Sequence, residues 1–282
     1  MSRNRCSEIS LGAGESLAAT ATIAERWLLV EVPGPWPRDV SDEGALPEPA
    51  REVVRAWLEA SPGSRLMFVR RPGRSAAGAL VFVIHAAEST TEVRRIELEH
   101  PADLAHADLT ADGDRTDRQL VLVCGHGTRD ACCALHGTAV HGALAGRLAD
   151  EELWVSSHQG GHRFAANVLV LPAALQFGRV EPGEAAYVVA RALAGRIELR
   201  RYRGRTCYTS PTQAAERVVR EAAALEGVAD LRLAGIDGPM VRFRGWEGSE
   251  YAALVEEVAG PRVPASCGAE PEAQTTFSAH VR

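Results

Sequence analysis

QLVLVCGHGTRDACC, residues 119–133, and ELWVSSHQGGH, residues 152–162, decide how this chain is read. Residues 119–123 are a short apolar run rich in β-branched side chains, which predicts a buried strand running directly into Cys124. Residues 152–155 repeat the pattern and lead into the segment that carries His158 and His162. Each strand therefore ends on a glycine-containing loop. One loop holds thiols and the other holds imidazoles.

Working outward, residues 138–148 have helical periodicity, residues 167–171 and 175–177 make a hairpin around Pro172, and residues 184–193 form a helix after Pro182-Gly183. The order is strand, ligand loop, helix, strand, ligand loop, hairpin, helix. This predicts an α/β unit of thioredoxin-like order over 113–210, with both ligand loops at strand ends.

Thiolate sulfur and neutral imidazole nitrogen suit zinc or an iron–sulfur cluster and suit calcium or magnesium poorly. In zinc fingers a ligand pair is typically separated by about two to four residues. Here eight residues separate Cys124 from Cys133, a span that suits a larger object. Cys132 adjoins Cys133 and is also a thiol, so the first loop offers two candidates for its second ligand. Histidines four residues apart also occur on solvated faces, but the glycines between His158 and His162 and the upstream cysteine loop favour ligation. Because the cysteines share one loop and the histidines the other, each pair is expected to bind its own iron.

Around these ligands, His126, Arg129 and Asp130 are expected to orient the loop. Arg129 would donate to sulfur or to loop carbonyls, and Asp130 would cap the following helix or pair with Arg129. Gly160 and Gly161 are expected to supply positive φ and close approach to the bound group. Cys6, Cys207 and Cys267 stand apart in the sequence and read as ordinary free thiols.

The CGHGTRDACC and SHQGGHRFAANVLVLP segments resemble the sucrase/ferredoxin-like family, which includes fungal actin-patch-distribution proteins. WLLVEVPGPWP at 27–37 and YRGRTCYTSP at 202–211 resemble it too, so the likeness extends over residues 6–215. The resemblance implies a thioredoxin-like ferredoxin domain holding a 2Fe-2S cluster on Cys124, Cys133, His158 and His162. The family spacing favours Cys133 over Cys132. Two neutral imidazoles in place of two thiolates remove negative charge, so the potential should rise as in Rieske centres. Loss of a ring proton on oxidation would couple electron transfer to proton transfer.

Upstream, residues 1–112 read as a smaller α/β domain, thioredoxin-like in its turn, that ends in a linker. Strands at 27–32, 65–70 and 78–85 alternate with a helix whose Val53, Val54, Trp57 and Leu58 share one face, and Arg71-Pro72-Gly73 marks a turn. Residues 101–118 have linker composition. Residues 211–259 read as a C-terminal helix, 213–225, and strands packing on the core, and 260–282 as a mobile tail. No internal repeat of fixed period is evident.

A net charge of −6 with no basic stripe argues against nucleic acid. The residues contain no apolar signal region or membrane-length stretch, which predicts a cytoplasmic protein. The leading expectation is an electron carrier served by a flavin- or NAD(P)H-dependent reductase, more carrier than stand-alone enzyme. The competing expectation is a zinc-stabilised Cys2His2 interaction module. A thiol oxidoreductase would need Cys-x-x-Cys, which is absent, and no motif nominates the carboxylate pair that sucrose hydrolysis requires.

Overall fold

The computed structural model describes residues 5–41, 44–72 and 78–282, so Gly73 of the expected turn lies outside the described residues. The first half contains α1 (Cys6–Gly12), β1 (Arg26–Glu31), α2 (Glu48–Ala60), β2 (Arg65–Arg70), β3 (Ala79–Ala86), β4 (Thr91–Leu98), a 3-10 helix Pro101–His106 and β5 (Asp114–Thr116). The second half supplies β6 (Leu120–Cys124), α3 (Ala131–Leu144), β7 (Leu153–Ser156), a 3-10 turn His162–Phe164, β8 (Val168–Leu171), β9 (Leu175–Phe177), α4 (Ala185–Leu193) and β10 (Tyr202–Arg205). Then come α5 (Ser210–Ala223), β11 (Leu231–Asp237), β12 (Met240–Gly245), β13 (Glu250–Pro264) and β14 (Pro271–Val281).

Ten strands form one mixed sheet in the order β10-β9-β8-β6-β7-β2-β1-β3-β4-β5, so the fold is α/β. Each half has the same connectivity. β1 lies parallel to β2 and antiparallel to β3, as β6 lies parallel to β7 and antiparallel to β8. The halves meet where β2 pairs antiparallel with β7, Val69 opposite Ser156 and Arg70 opposite Val155. The sheet thus runs across the boundary expected near residue 112.

Alternation along the strands builds a core on each face. Val121 and Val123 face α3 and α4, where they pack with Val140, Leu144, Val188 and Val189. Leu120 and Leu122 face the other way, into a cluster shared with Trp27, Leu29, Phe82 and Trp154 from both halves. α2 buries Val54 and Trp57 against Leu28, Val30 and Phe68, with Val53 and Leu58 partly buried beside them. The α2 face anticipated from sequence is therefore the one that packs.

Three segments depart from expectation. Residues 101–118 are part of the fold: Leu104 and Leu109 are buried in the cluster under α2, and β5 adds to the sheet edge. α3 starts at Ala131, seven residues before the expected helix at 138, because the Asp130 side chain accepts from the Cys132 amide and caps it. Residues 260–282, expected to be a mobile tail, complete β13 and form β14, paired from Ala253 opposite Val281 to Pro264 opposite Pro271. That hairpin closes a four-stranded sheet, β11-β12-β13-β14, against α5, where Phe277 and Ala279 join Val219, Phe243 and Val255. Its exposed positions mix small and polar residues such as Ala259, Ala273 and Thr275 with Glu256, Glu257 and Glu272, so composition alone hid the pairing. No helix of the described residues is long and apolar enough to cross a membrane.

Candidate metal centre

The four expected ligands converge at the ends of β6 and β7. Cys124 is the last residue of β6, Cys133 lies in the first turn of α3, His158 follows β7, and His162 opens the 3-10 turn. The thiols are fully buried and His162 is nearly so, while His158 is partly exposed. Ligand atoms of Cys124, Cys133 and His158 lie within 4.8 Å of one another. Cys133 Sγ is 3.7 Å from His162 Nδ1, and the two imidazoles stack with centroids 3.9 Å apart.

Local chain geometry explains the convergence. α3 passes so close to Cys124 that a Cβ at Gly137 would overlap the Cys124 carbonyl oxygen. Only glycine lets the helix carry Cys133 to that strand end. On the histidine loop, Gly160 and Gly161 have φ of +90° and +71°, conformations in which a side chain is strained. Their close neighbours are Thr22, Arg203 and Phe164. The expected close approach is therefore to the loop's own support.

That support is a buried polar network. Gln159 donates to the Leu122 carbonyl and to Ser156 Oγ, and its own carbonyl accepts from Thr22 and Gln176. Arg203, from β10, donates to the Gly160 carbonyl at 3.0 Å, to Asn167 Oδ1 at 2.8 Å, and to Thr20. Asn167 in turn donates to the Gly161 carbonyl. Burial pulls Arg203 down to about 9, which leaves it a cation at neutral pH beneath Cys124 and Cys133. Reading the sequence motif by motif missed Arg203, Asn167, Gln159 and Gly137. The one signal was YRGR, a matched segment whose role could not be read locally.

Of the expected supporting residues, Asp130 has a carboxylate oxygen within 4.8 Å of the ligand atoms of Cys133 and His162, and His126 holds the histidine loop. Its Nδ1 accepts from the His158 amide, its Nε2 lies 2.8 Å from the Pro37 carbonyl, and its ring meets Trp36 edge-on. The WLLVEVPGPWP segment thereby braces the cysteine loop, helped by Thr128, which donates to the Trp36 carbonyl. Arg129 donates at 3.5 Å to the Arg38 carbonyl, away from sulfur. Asp130 caps α3 and accepts from the Cys267 amide instead of pairing with Arg129. Adjacent residues on a helix point about 100° apart. Accordingly Cys133 faces Cys124 while Cys132 faces away, toward Cys6 and Cys267.

The imidazoles are in ligand form. Burial holds His158 down to about 2 and His162 to about 4, so both rings are neutral at pH 7. His158 Nδ1 is buried without a hydrogen-bond partner among the described residues. Cys124 is held below the ordinary thiol value chiefly by a hydrogen bond from Cys133, with the amides of His126 and Gln159 adding to it against burial. Cys133 is pushed up by the same sharing and by burial. Two buried thiols and two neutral imidazoles, Cys124 and Cys133 grouped with His158 and Cys133 also beside His162, fit a thiophilic metal centre.

Comparison with known proteins agrees with the chain's motifs. Altered inheritance of mitochondria protein 32 of Eremothecium gossypii is 33% identical over 146 residues, 47% of this chain and 46% of the relative. The protein of the same name from Debaryomyces hansenii is 34% identical over 97 residues, 31% of this chain and 36% of the relative. That from Saccharomyces kudriavzevii is 34% identical over 113 residues, 35% and 36% of the two chains. The chain thus covers less than half the length of these relatives. No solved structure matches it. Residues 17–204, from the loop before β1 to the Arg203 strand and including both ligand loops, match the sucrase/ferredoxin-like family, and the chain belongs to that family.

Proposed function

We propose that this protein is an electron carrier that binds a 2Fe-2S cluster through Cys124, Cys133, His158 and His162. The observation that carries the reading is the convergence of two buried thiols and two neutral imidazoles at the ends of β6 and β7. The pairing of the two sulfurs within 4.8 Å and the stacking of the two imidazoles support one iron for each pair. The matching connectivity of the β6–β9 half supports the thioredoxin-like reading of that unit. Bound there, the cluster would supply one-electron chemistry.

The chain's own groups tune such a site. The amides of His126 and Gln159 pointing at Cys124, and the Arg203 cation below it, favour the more negative, reduced state and raise the potential. Of the two imidazoles, His158 is the more exposed, so its ring is the one that exchanges a proton with solvent. The centre is expected to receive electrons from a flavin- or NAD(P)H-dependent reductase. All six cysteines are unpaired, which suits a reducing compartment such as the cytoplasm.

A second reading rests on compactness. The Cys133 Sγ to His162 Nδ1 distance of 3.7 Å is close to the spacing of about 3.5 Å around a single tetrahedral zinc. Visible and electron paramagnetic resonance spectra of anaerobically purified protein separate the two. The cluster reading expects a red-brown protein whose spectra shift in His158→Cys and His162→Cys, with a midpoint potential falling by about 59 mV per pH unit in the coupled range. A colourless protein with stoichiometric zinc on these four residues supports the zinc module. Unchanged spectra in both variants remove the histidines from the ligand set.

A further inference from the structure

The cysteines that look solitary in the sequence are not solitary in space. Cys6 opens α1, Cys132 lies in the first turn of α3, and Cys267 sits in the turn between β13 and β14. Their sulfurs form a triangle: Cys6 to Cys132 3.6 Å, Cys132 to Cys267 3.3 Å, and Cys267 to Cys6 3.6 Å. Asp130 Oδ1 closes the figure, 3.8 Å from Cys6 Sγ and 3.4 Å from Cys267 Sγ.

These spacings discriminate among explanations. A disulfide brings its sulfurs to about 2 Å, so no pair in the triangle is bonded. Around a tetrahedral zinc with Zn–S near 2.3 Å, ligand sulfurs sit about 3.8 Å apart and sulfur–oxygen edges measure about 3.5 Å. The sulfur–oxygen distances of 3.4 and 3.8 Å bracket that edge, and the sulfur–sulfur distances of 3.3 to 3.6 Å fall just inside theirs. Ordinary core packing is the weaker account, since Ala165 is the one other buried apolar residue in this cluster. Packing also does not explain a buried carboxylate set against the sulfurs of Cys6 and Cys267. The Cys132 and Cys267 amides satisfy the Asp130 oxygens, yet no arginine pairs with it among the described residues. A buried carboxylate without a cation is costly, and a metal ion supplies the cation.

We propose that Cys6, Cys132 and Cys267, with one oxygen of Asp130, form a second metal site, built for a single zinc ion, that clamps α1 and the β13–β14 turn onto the start of α3. Binding deprotonates the thiols and releases their protons to solvent. The site joins segments 126 and 135 residues apart, so it closes long loops and ties the chain's two ends to the helix that carries Cys133. Ser7 Oγ, 3.2 Å from Cys132 Sγ, donates to that sulfur and further favours the thiolate.

The test uses the full chain, purified without chelators and reconstituted with zinc under reducing conditions. Elemental analysis of wild type, Cys6→Ser, Cys267→Ser and Cys124→Ser is expected to show one zinc per chain lost in the first two variants. Cys124→Ser, which strikes the other centre, should retain that zinc. Because a serine variant can misfold, zinc-edge X-ray absorption on wild type provides an independent readout, expected to include a three-sulfur, one-oxygen environment. Zinc content unchanged in both Cys6→Ser and Cys267→Ser overturns the proposal. So does a wild-type protein in which all zinc is bound by two sulfurs and two nitrogens, or a Cys132 disulfide to Cys6 or Cys267 in protein isolated under reducing conditions. Failure of the cluster reading would appear separately, as absent iron with this zinc still present.

Discussion

Arg203 holds the histidine loop from below, and removing it tests how far the site depends on residues that touch no metal. Arg203→Met leaves the Gly160 carbonyl, Asn167 Oδ1 and the Thr20 groups without their donor in a buried setting. Each orphaned acceptor costs about 1–3 kcal/mol, so chemical denaturation should show a loss of about 3 kcal/mol or more. The same variant should lower the midpoint potential, because a cation that favours the reduced state is gone. Cys207 offers a contrasting case, a thiol outside the candidate metal groups of the described residues. Burial pushes it up to about 11, so it stays neutral in the folded protein where an exposed thiol, of pKa about 8.5, would begin to ionise. Its contribution to stability is therefore intact below pH about 8.5 and is lost as pH rises through about 11. Alkylation followed by mass spectrometry should find Cys207 slow at pH 8 and faster only toward pH 11. Rapid labelling at pH 8 would show that the site is open.

At the scale of elements, what could be read from sequence followed from local pattern. The strand ending in Cys124, the α2 face of Val54 and Trp57, and the hairpin of β8 and β9 are each written in a few consecutive residues. The start of α3 is hard to read from sequence because its first two turns, ACCALHG, are rich in small residues and thiols and look like loop. Its true start depends on one cap, Asp130. β14 is hard to read from sequence because β pairing is decided by a partner, and its partner β13 carries exposed glutamates, Glu256 and Glu257, on both faces. A chain truncated before Pro271 should therefore unfold at lower temperature and expose apolar surface, since Val255, Phe243 and α5 lose Phe277 and Ala279. A free tail would leave the thermal transition unchanged.

For the whole molecule, the two halves with matching connectivity share one sheet through β2 and β7, and the candidate metal centre sits where the sheet of the second half meets the PGPWP loop of the first. The sequence motifs identified the ligand loops, but the network beneath them and the clustering of Cys6 with Cys267 depend on contacts between distant segments, 261 residues apart in the extreme case. Local spacing contains no trace of such contacts. The halves therefore act as one unit around the centre, and the account stands on what that centre holds. Mössbauer spectroscopy of protein enriched in the active iron isotope tests this most directly. The account predicts two inequivalent irons, one in a sulfur environment and one with nitrogen ligands, with the added electron localised on the nitrogen-ligated iron after one-electron reduction. A protein without iron at Cys124, Cys133, His158 and His162, or one whose two irons are both ligated by sulfur alone, would contradict it.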